Sequence, residues 1–425
     1  MTGAALARTV LRLPIAGARR LGLRRWLRVL GPAWIVMLAD VDAPSVLTAA
    51  KAGTDFGYAL LLPLALLVPI LYLIQEMTAR LGIATGRGHA ELIRDRYGFR
   101  WGALAVISMV AIDLLAYVAE FAGIVLGAAI VGVPAWLAVA LAVVFHSVMV
   151  LSGSYERFER VTIGLSLALL AFVVLAVTAR PDPGALAGSL SQPLASRGYL
   201  DLVVATIGAV VMPWMIFYQQ AASVDKGLTV EDLRAARIET LVGAIASEIL
   251  MAAVVVASAA AMAGIGSEAV GPGLAALPIG LARLAIGPSA IFIAIGLIGA
   301  GLLASVVISL SSAWAWAELF RWPHSLNMSI RAAPGFYAVY LIEVIPAAVI
   351  ALVATDLLAV VINAMILNVL VLAVPLAFLV RLSGDRVLLG PLANGQARSV
   401  LSWAITVALL GLGVWSALGA FGLRP

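Results

Sequence analysis

The sequence predicts an all-α, polytopic membrane protein of about eleven transmembrane helices, two of them broken near their middles. Three observations carry this. Of 425 residues, 63% are AVILMFWYC and only 12% are charged, with a mean hydropathy of +1.10, a balance that soluble domains do not have. Stretches long enough to cross a bilayer core of about 30 Å recur along the whole chain. Prolines sit in the middle of two such stretches, at Pro44 and Pro213.

Windows of about 19 residues place the first six spans at 31–50, 58–79, 101–131, 134–151, 161–179 and 200–223. Five more follow at 238–265, 286–317, 334–354, 356–380 and 399–421. The longest connections, Arg180 to Leu200 and Gly266 to Ala285, are rich in Pro, Gly and Ser and read as surface loops rather than domain linkers. The organisation expected is therefore a basic cytoplasmic segment, 1–30, followed by a single transmembrane domain, 31–425.

A pI of about 9.7 invites a nucleic-acid reading, but the placement of the basic residues argues against it. With the N-terminus inside, all 27 Lys and Arg except Lys51, Arg180, Arg197, Arg283 and Arg424 fall in inner segments. Basic charge here reports orientation, so the N-terminus is expected in the cytoplasm and the C-terminus outside. The Arg-rich start (Arg8, Arg12, Arg19, Arg20, Arg24, Arg25) lacks a cleavable signal pattern and suits an amphipathic helix on the cytoplasmic lipid face. There are no cysteines, which excludes a disulfide framework and a thiolate metal site.

An ionisable side chain at membrane depth costs about 2.5 to 3.5 kcal/mol on insertion scales, so each one needs a reason. Asp40 and Asp42 lie in the middle of the first span, Asp113 and Glu120 in the third, Glu248 in the seventh and Glu343 in the ninth. Asp356 and Glu318 lie near span ends and read as interfacial. A hydrogen-bonded structural carboxylate explains Asp113, Glu248 and Glu343 as well as a functional one does.

Asp42 differs because Pro44 has no N–H and disfavours helix at Ala43, so the helix should break where this carboxylate sits. Backbone carbonyls freed in this way are tolerated in a membrane only where they are buried in protein or line a wet cavity. Val211-Met212-Pro213 repeats the arrangement in the sixth span. Interrupted helices in corresponding positions of two halves point to an inverted-repeat transporter, here spans one to five and six to ten with the eleventh extra. The chemistry available there is a carboxylate, carbonyls, the Ser45 hydroxyl and the Met212 thioether. Hard oxygens suit Mg2+ or Mn2+, and a thioether suits softer ions.

The stretch Gly31-Pro32-Ala33-Trp34 through Asp42-Ala43-Pro44-Ser45 to Phe56-Gly57-Tyr58 resembles the first helix of the Nramp family of metal transporters. The similarity continues through Gln75-Glu76, Arg80 to Gly86, Glu91 to Gly98, Ala119-Glu120-Phe121, Met212-Pro213 and Ala300-Gly301-Leu302, and so covers most of the chain. The resemblance implies a LeuT-like fold with helices 1 and 6 broken. It also implies that the family's Asp-Pro-Gly-Asn motif falls on Asp42 to Ser45 and its Met-Pro-His on Met212 to Trp214. Asp42, Ser45, Met212 and the Ala209 carbonyl become the implied metal ligands, with Asn363 as the polar ligand of the tenth helix.

Departures from the pattern are equally informative. Ser45 replaces a longer amide, Trp214 replaces the histidine, and Tyr117 stands where an acid is expected one turn before Glu120. The paired arginines of the ninth helix are missing, their positions falling near Val339 and Tyr340. Proton transfer needs titratable groups within hydrogen-bond or water reach. These losses resemble the Nramp-related magnesium transporter branch, which implies a roomy site that takes a partly hydrated Mg2+ without a driving proton. The expected activity is thus import of Mg2+, with Mn2+ shared, across a bacterial plasma membrane. The metal would be cargo and no cofactor is expected; the partners are the ions and the bilayer.

Three alternatives remain open. An ordinary proton-coupled Mn2+/Fe2+ importer is favoured by the retained Met212. A sodium-coupled amine or amino-acid symporter could use the same fold, which alone decides nothing. An intramembrane aspartyl protease would need paired catalytic acids, but Asp40 and Asp42, at i and i+2, point to different sides of a helix.

Overall fold

The structure is a computed structural model and describes residues 29–151, 153–189, 196–262, 277–353 and 357–420. The basic segment 1–30 falls almost wholly outside the described residues, as do Asp356, Arg424 and most of the loop from Gly266. Among the described residues every regular element is a helix. The first span is a pair, α1 (Pro32–Ala39) and α2 (Ala43–Phe56). Next come α3 (Leu61–Thr85), the short α4 (His89–Tyr97), α5 (Phe99–Ile130) and α6 (Ala135–Leu151). The fifth span is α7 (Tyr155–Ser166) continued through a 3-10 turn by α8 (Leu170–Thr178). After the small α9 (Pro183–Ser189), the sixth span is α10 (Arg197–Val210) with α11 (Pro213–Asp225).

In the second half α12 (Leu233–Met262) precedes a small α13 (Ile279–Leu284) and α14 (Ala290–Phe320). The ninth span is α15 (Pro334–Ile342) plus α16 (Val344–Val353), and α17 (Leu357–Ser383) is the tenth. A single turn, α18 (Arg386–Leu389), leads to α19 (Gln396–Ala420). Among the described residues nine helices are long and apolar enough to cross a membrane, the bent α1–α2 pair adds a tenth, and the 17-residue α6 occupies the expected fourth span. Exposed apolar side chains such as Val144, Val148, Val353 and Val407 face outward, as they should where lipid is the solvent. The loops also differ from expectation in one respect, since each of the two long connections carries a short helix, α9 or α13.

Both expected breaks are present, and each has the same local cause. Asp42 leaves the helical region (φ −89°, ψ 175°) and caps α2, its Oδ1 accepting the Ser45 N–H at 2.8 Å, with Pro44 in the first turn. Val211 and Met212 are likewise extended (φ −121° and −108°), and Pro213 opens α11. The first break bends the span by 47°, whereas α10 and α11 run on as one gentler span. Close packing holds the breaks against their neighbours. A Cβ on Gly208 would lie 1.9 Å from the Met365 carbonyl oxygen of α17, and one on Gly123 of α5 would lie 2.2 Å from the Ala43 Cβ.

Glu318 proves not to be interfacial. It is buried at the end of α14, and its Oε2 accepts the Ala90 and Glu91 N–H groups at 3.0 and 3.4 Å, an acid placed on the positive end of α4. Glu343 sits at the junction of α15 and α16. On α4, burial pushes the His89 ring down to about 4, overriding its contacts with Gln220 and the Pro375 carbonyl.

Candidate functional site

The two breaks meet. Ser45 Oγ donates to the Ala209 carbonyl at 3.0 Å, linking the start of α2 to the last turn of α10. Asp42 Oδ2 has no partner although the residue is fully buried, because its other oxygen alone is taken by the cap. From α5, Glu120 Oε2 accepts the Ala43 N–H at 3.0 Å and its Oε1 is unpartnered. Four of the sequence-derived positions, Asp42, Ser45, Ala209 and Met212, are therefore brought together and shielded, none more than 1% exposed.

Asn363 is not among them, for its position on α17 is exposed. The tenth-helix polar residue at the site is Asn368, five positions on, which is 1% exposed. Its Nδ2 donates to the Gly208 and Val211 carbonyls, satisfying two groups freed by the second break and leaving Oδ1 unpartnered. Five residues turn an α-helix by about 500°, so the two asparagines face different sides. The sequence signal was only a second Asn on the same helix.

Trp214 is buried and its indole N–H donates to the Met212 Sδ at 2.9 Å. An indole is donor only, so this residue occupies the thioether rather than offering an ion a ligand. Ser311 on α14 donates to the Trp214 carbonyl at 2.9 Å and fixes the start of α11. Tyr117 is not isolated either: its hydroxyl lies 2.8 Å from Nδ1 of His146 on α6, and the His146 ring packs against Tyr340 with centroids 4.6 Å apart. His146 went unnoticed in the sequence because a single histidine in an apolar span has no periodicity to mark it. Asp113 accepts from Ser312 at 3.3 Å through one oxygen and leaves the other free.

Chemically, the junction offers three unpartnered buried oxygens (Asp42 Oδ2, Glu120 Oε1, Asn368 Oδ1) together with the Ser45 hydroxyl and the Ala209 carbonyl. No trio of His, Cys, Asp and Glu able to hold a metal occurs among the described residues. An oxygen set with few full charges is suited to an ion that must leave again.

Residues 33–419 match the family described as natural resistance-associated macrophage protein-like. The chain belongs to the Nramp family. This Nramp protein is 28% identical over 428 residues to a divalent metal cation transporter MntH of Deinococcus radiodurans, covering 95% of this chain and 93% of that one. It is 30% identical to the protein of the same name from Granulibacter bethesdensis, with 98% and 94% covered. In structure it superposes on a manganese transporter of Eremococcus coleocola with a TM-score of 0.77 at 19% identity, over 96% of this chain and 91% of that one. A nucleobase-cation-symport-1 family transporter gives 0.57 at 13% identity, over 91% and 89%. The fold is thus LeuT-like, as the resemblance implied. Membership of a family of membrane metal transporters sets aside the protease reading, and a metal here is cargo rather than cofactor.

Proposed function

We propose that this Nramp protein imports Mg2+, with Mn2+ as a shared cargo, across a bacterial plasma membrane without moving protons. The observation that carries the reading is the donor set at the crossing of the two breaks. Its free atoms are hard oxygens, and the one soft atom, the Met212 sulfur, is already engaged by Trp214. Asp42, Ser45, the Ala209 carbonyl and Asn368 would hold the ion, and Glu120 would face it from α5. Spans one to five and six to ten act as inverted repeats rocking around this midplane site, with the N-terminus in the cytoplasm and the C-terminus outside.

A second reading has its own support. Proton-coupled uptake of Mn2+ or Fe2+ is favoured by the Tyr117–His146 contact one turn from Glu120, a pair of groups able to pass a proton, and manganese is the metal named for the Eremococcus coleocola transporter. Uptake by the purified protein in liposomes separates the two. On the magnesium reading, Mg2+ is taken up and competes with Mn2+ at similar concentrations. Mn2+ uptake unaffected by a large excess of Mg2+ would overturn it.

A further inference from the structure

Apart from the ion site, one end of the bundle carries a charge imbalance that the proposed transport does not use. Glu76 on α3 is buried, and three guanidinium groups share its carboxylate. Arg80, one turn along α3, reaches both oxygens through Nε at 3.1 and 3.3 Å. Arg237 Nε of α12 donates to Oε1 at 2.8 Å, and Arg398 Nη2 of α19 donates to Oε2. One carboxylate facing three guanidiniums leaves two positive charges in excess.

The three arginines are not equivalent. Arg80 is buried and its other nitrogens are used, donating to the Leu392 carbonyl and, at 2.6 Å, to Asn394 Oδ1. Arg237 and Arg398 are 40% and 31% exposed, so the excess charge sits on them. Arg398 Nε is shielded from solvent and has no hydrogen-bond partner, and among the described residues Arg237 bonds only through its Nε. A network serving only to tie helices together would have its donors satisfied and its charges balanced. These two arginines lack both an acceptor and a counter-charge from the protein.

Both open onto a cavity of about 490 Å3 between α3, α12 and α19, whose other walls are Tyr72, Leu73, Ala397 and Leu401 and whose only lining acid is Glu76. Away from the arginines the walls turn apolar and outward-facing. Exposed Leu401 is followed along α19 by Ala404 and Ala408, and Tyr72 along the antiparallel α3 by Pro69 and Leu66. An occupant that fits needs an anion at one end and an apolar body at the other. Guanidinium forks match phosphate oxygens, and basic pockets between transmembrane helices take anionic lipid headgroups. We propose that this cavity binds an anionic phospholipid, its phosphate on Arg237 and Arg398 and an acyl chain along α3 and α19. Two excess positive charges disfavour a zwitterionic headgroup, whose ammonium would be brought up to the same arginines. The arginines lie at the end of the bundle where α1 begins, since Glu239, two residues past Arg237, accepts the Gly31 N–H. With the N-terminus in the cytoplasm the lipid comes from the inner leaflet, and only that choice of leaflet rests on the proposed orientation.

The test is native mass spectrometry and thermal melting of the purified full-length protein, delipidated in detergent, with dioleoyl phosphatidylglycerol, dioleoyl phosphatidylcholine or inorganic phosphate added in turn. Phosphatidylglycerol should be retained at least tenfold more tightly than phosphatidylcholine and should raise the melting temperature, whereas inorganic phosphate at the same concentration does not. Arg237→Gln and Arg398→Gln should each weaken phosphatidylglycerol binding at least tenfold. Ala397→Trp keeps every charge and fills the cavity, so it should lose the lipid while melting as the wild type does without lipid, which guards against an arginine variant that merely misfolds. Arg386→Gln, an exposed position on α18 outside the cavity, should bind as the wild type does. Equal retention of the two lipids, or undiminished phosphatidylglycerol binding by Ala397→Trp or by a folded Arg398→Gln, would overturn the proposal. A melting shift with inorganic phosphate as large as with phosphatidylglycerol would overturn it in favour of a free anion.

Discussion

Asp42 is the residue on which the proposed transport should depend most, and its two carboxylate oxygens differ in their surroundings. One oxygen caps α2 through the Ser45 N–H, and the other is free for an ion. Asn caps a helix about as well as Asp, so Asp42→Asn keeps the cap and loses only the charge, whereas Asp42→Ala loses both. Removing one member of a buried charge pair costs about 3 to 5 kcal/mol, which at 1.4 kcal/mol per decade weakens the ion by about a hundredfold to a few thousandfold. Both variants should therefore show no measurable Mg2+ or Mn2+ uptake at concentrations that saturate the wild type. Stability should diverge: Asp42→Ala should lose about a further 1 kcal/mol with its cap. The assay is initial-rate uptake in proteoliposomes beside thermal melting of the same preparations. A monodisperse, inserted Asp42→Asn protein with near wild-type KM and rate would refute the assignment.

Asn368→Ala should raise the metal KM by about tenfold or more, since it frees two buried carbonyls and removes an oxygen, while Asn363→Ala should transport normally. The reverse result would put the register of α17 in error. A pH dependence of stability follows from His89. Its ring is held neutral down to about pH 4 in the folded state but takes a proton near 6.5 when unfolded, so between those values the unfolded state binds more protons. Stability should be complete above pH 6.5 and fall by up to about 3 kcal/mol as the pH drops to 4, a slope that His89→Gln removes in melting curves. Cysteines placed singly on the outer and inner sides of Asp42, in this Cys-free chain, should label reciprocally. Full labelling of both sides at once would indicate a channel.

The breaks were legible because proline acts locally: Pro44 and Pro213 lack an N–H whatever packs around them, and at the first break Asp42, two residues before Pro44, is a ready cap. The spans were legible because lipid demands length and apolarity. What failed was whatever depends on how two helices are rotated against each other. Asn363 and Asn368 are equivalent in composition and differ only in the face of α17 they occupy. The Tyr117–His146 contact joins residues 29 apart on different helices. Glu318 looked interfacial because a span end and a helix cap read alike in sequence.

The central claim, that a divalent ion crosses at Asp42 without a proton, meets its most direct test in liposomes holding a pH dye under a valinomycin-set potential. A 2+ ion moving alone is drawn inward by about 2.3 kcal/mol per charge per 100 mV, so Mg2+ or Mn2+ influx should rise with negative-inside voltage while the dye signal stays flat. Metal-dependent acidification of the lumen that disappears in Glu120→Gln would contradict the account and assign the Tyr117–His146 pair to a proton path.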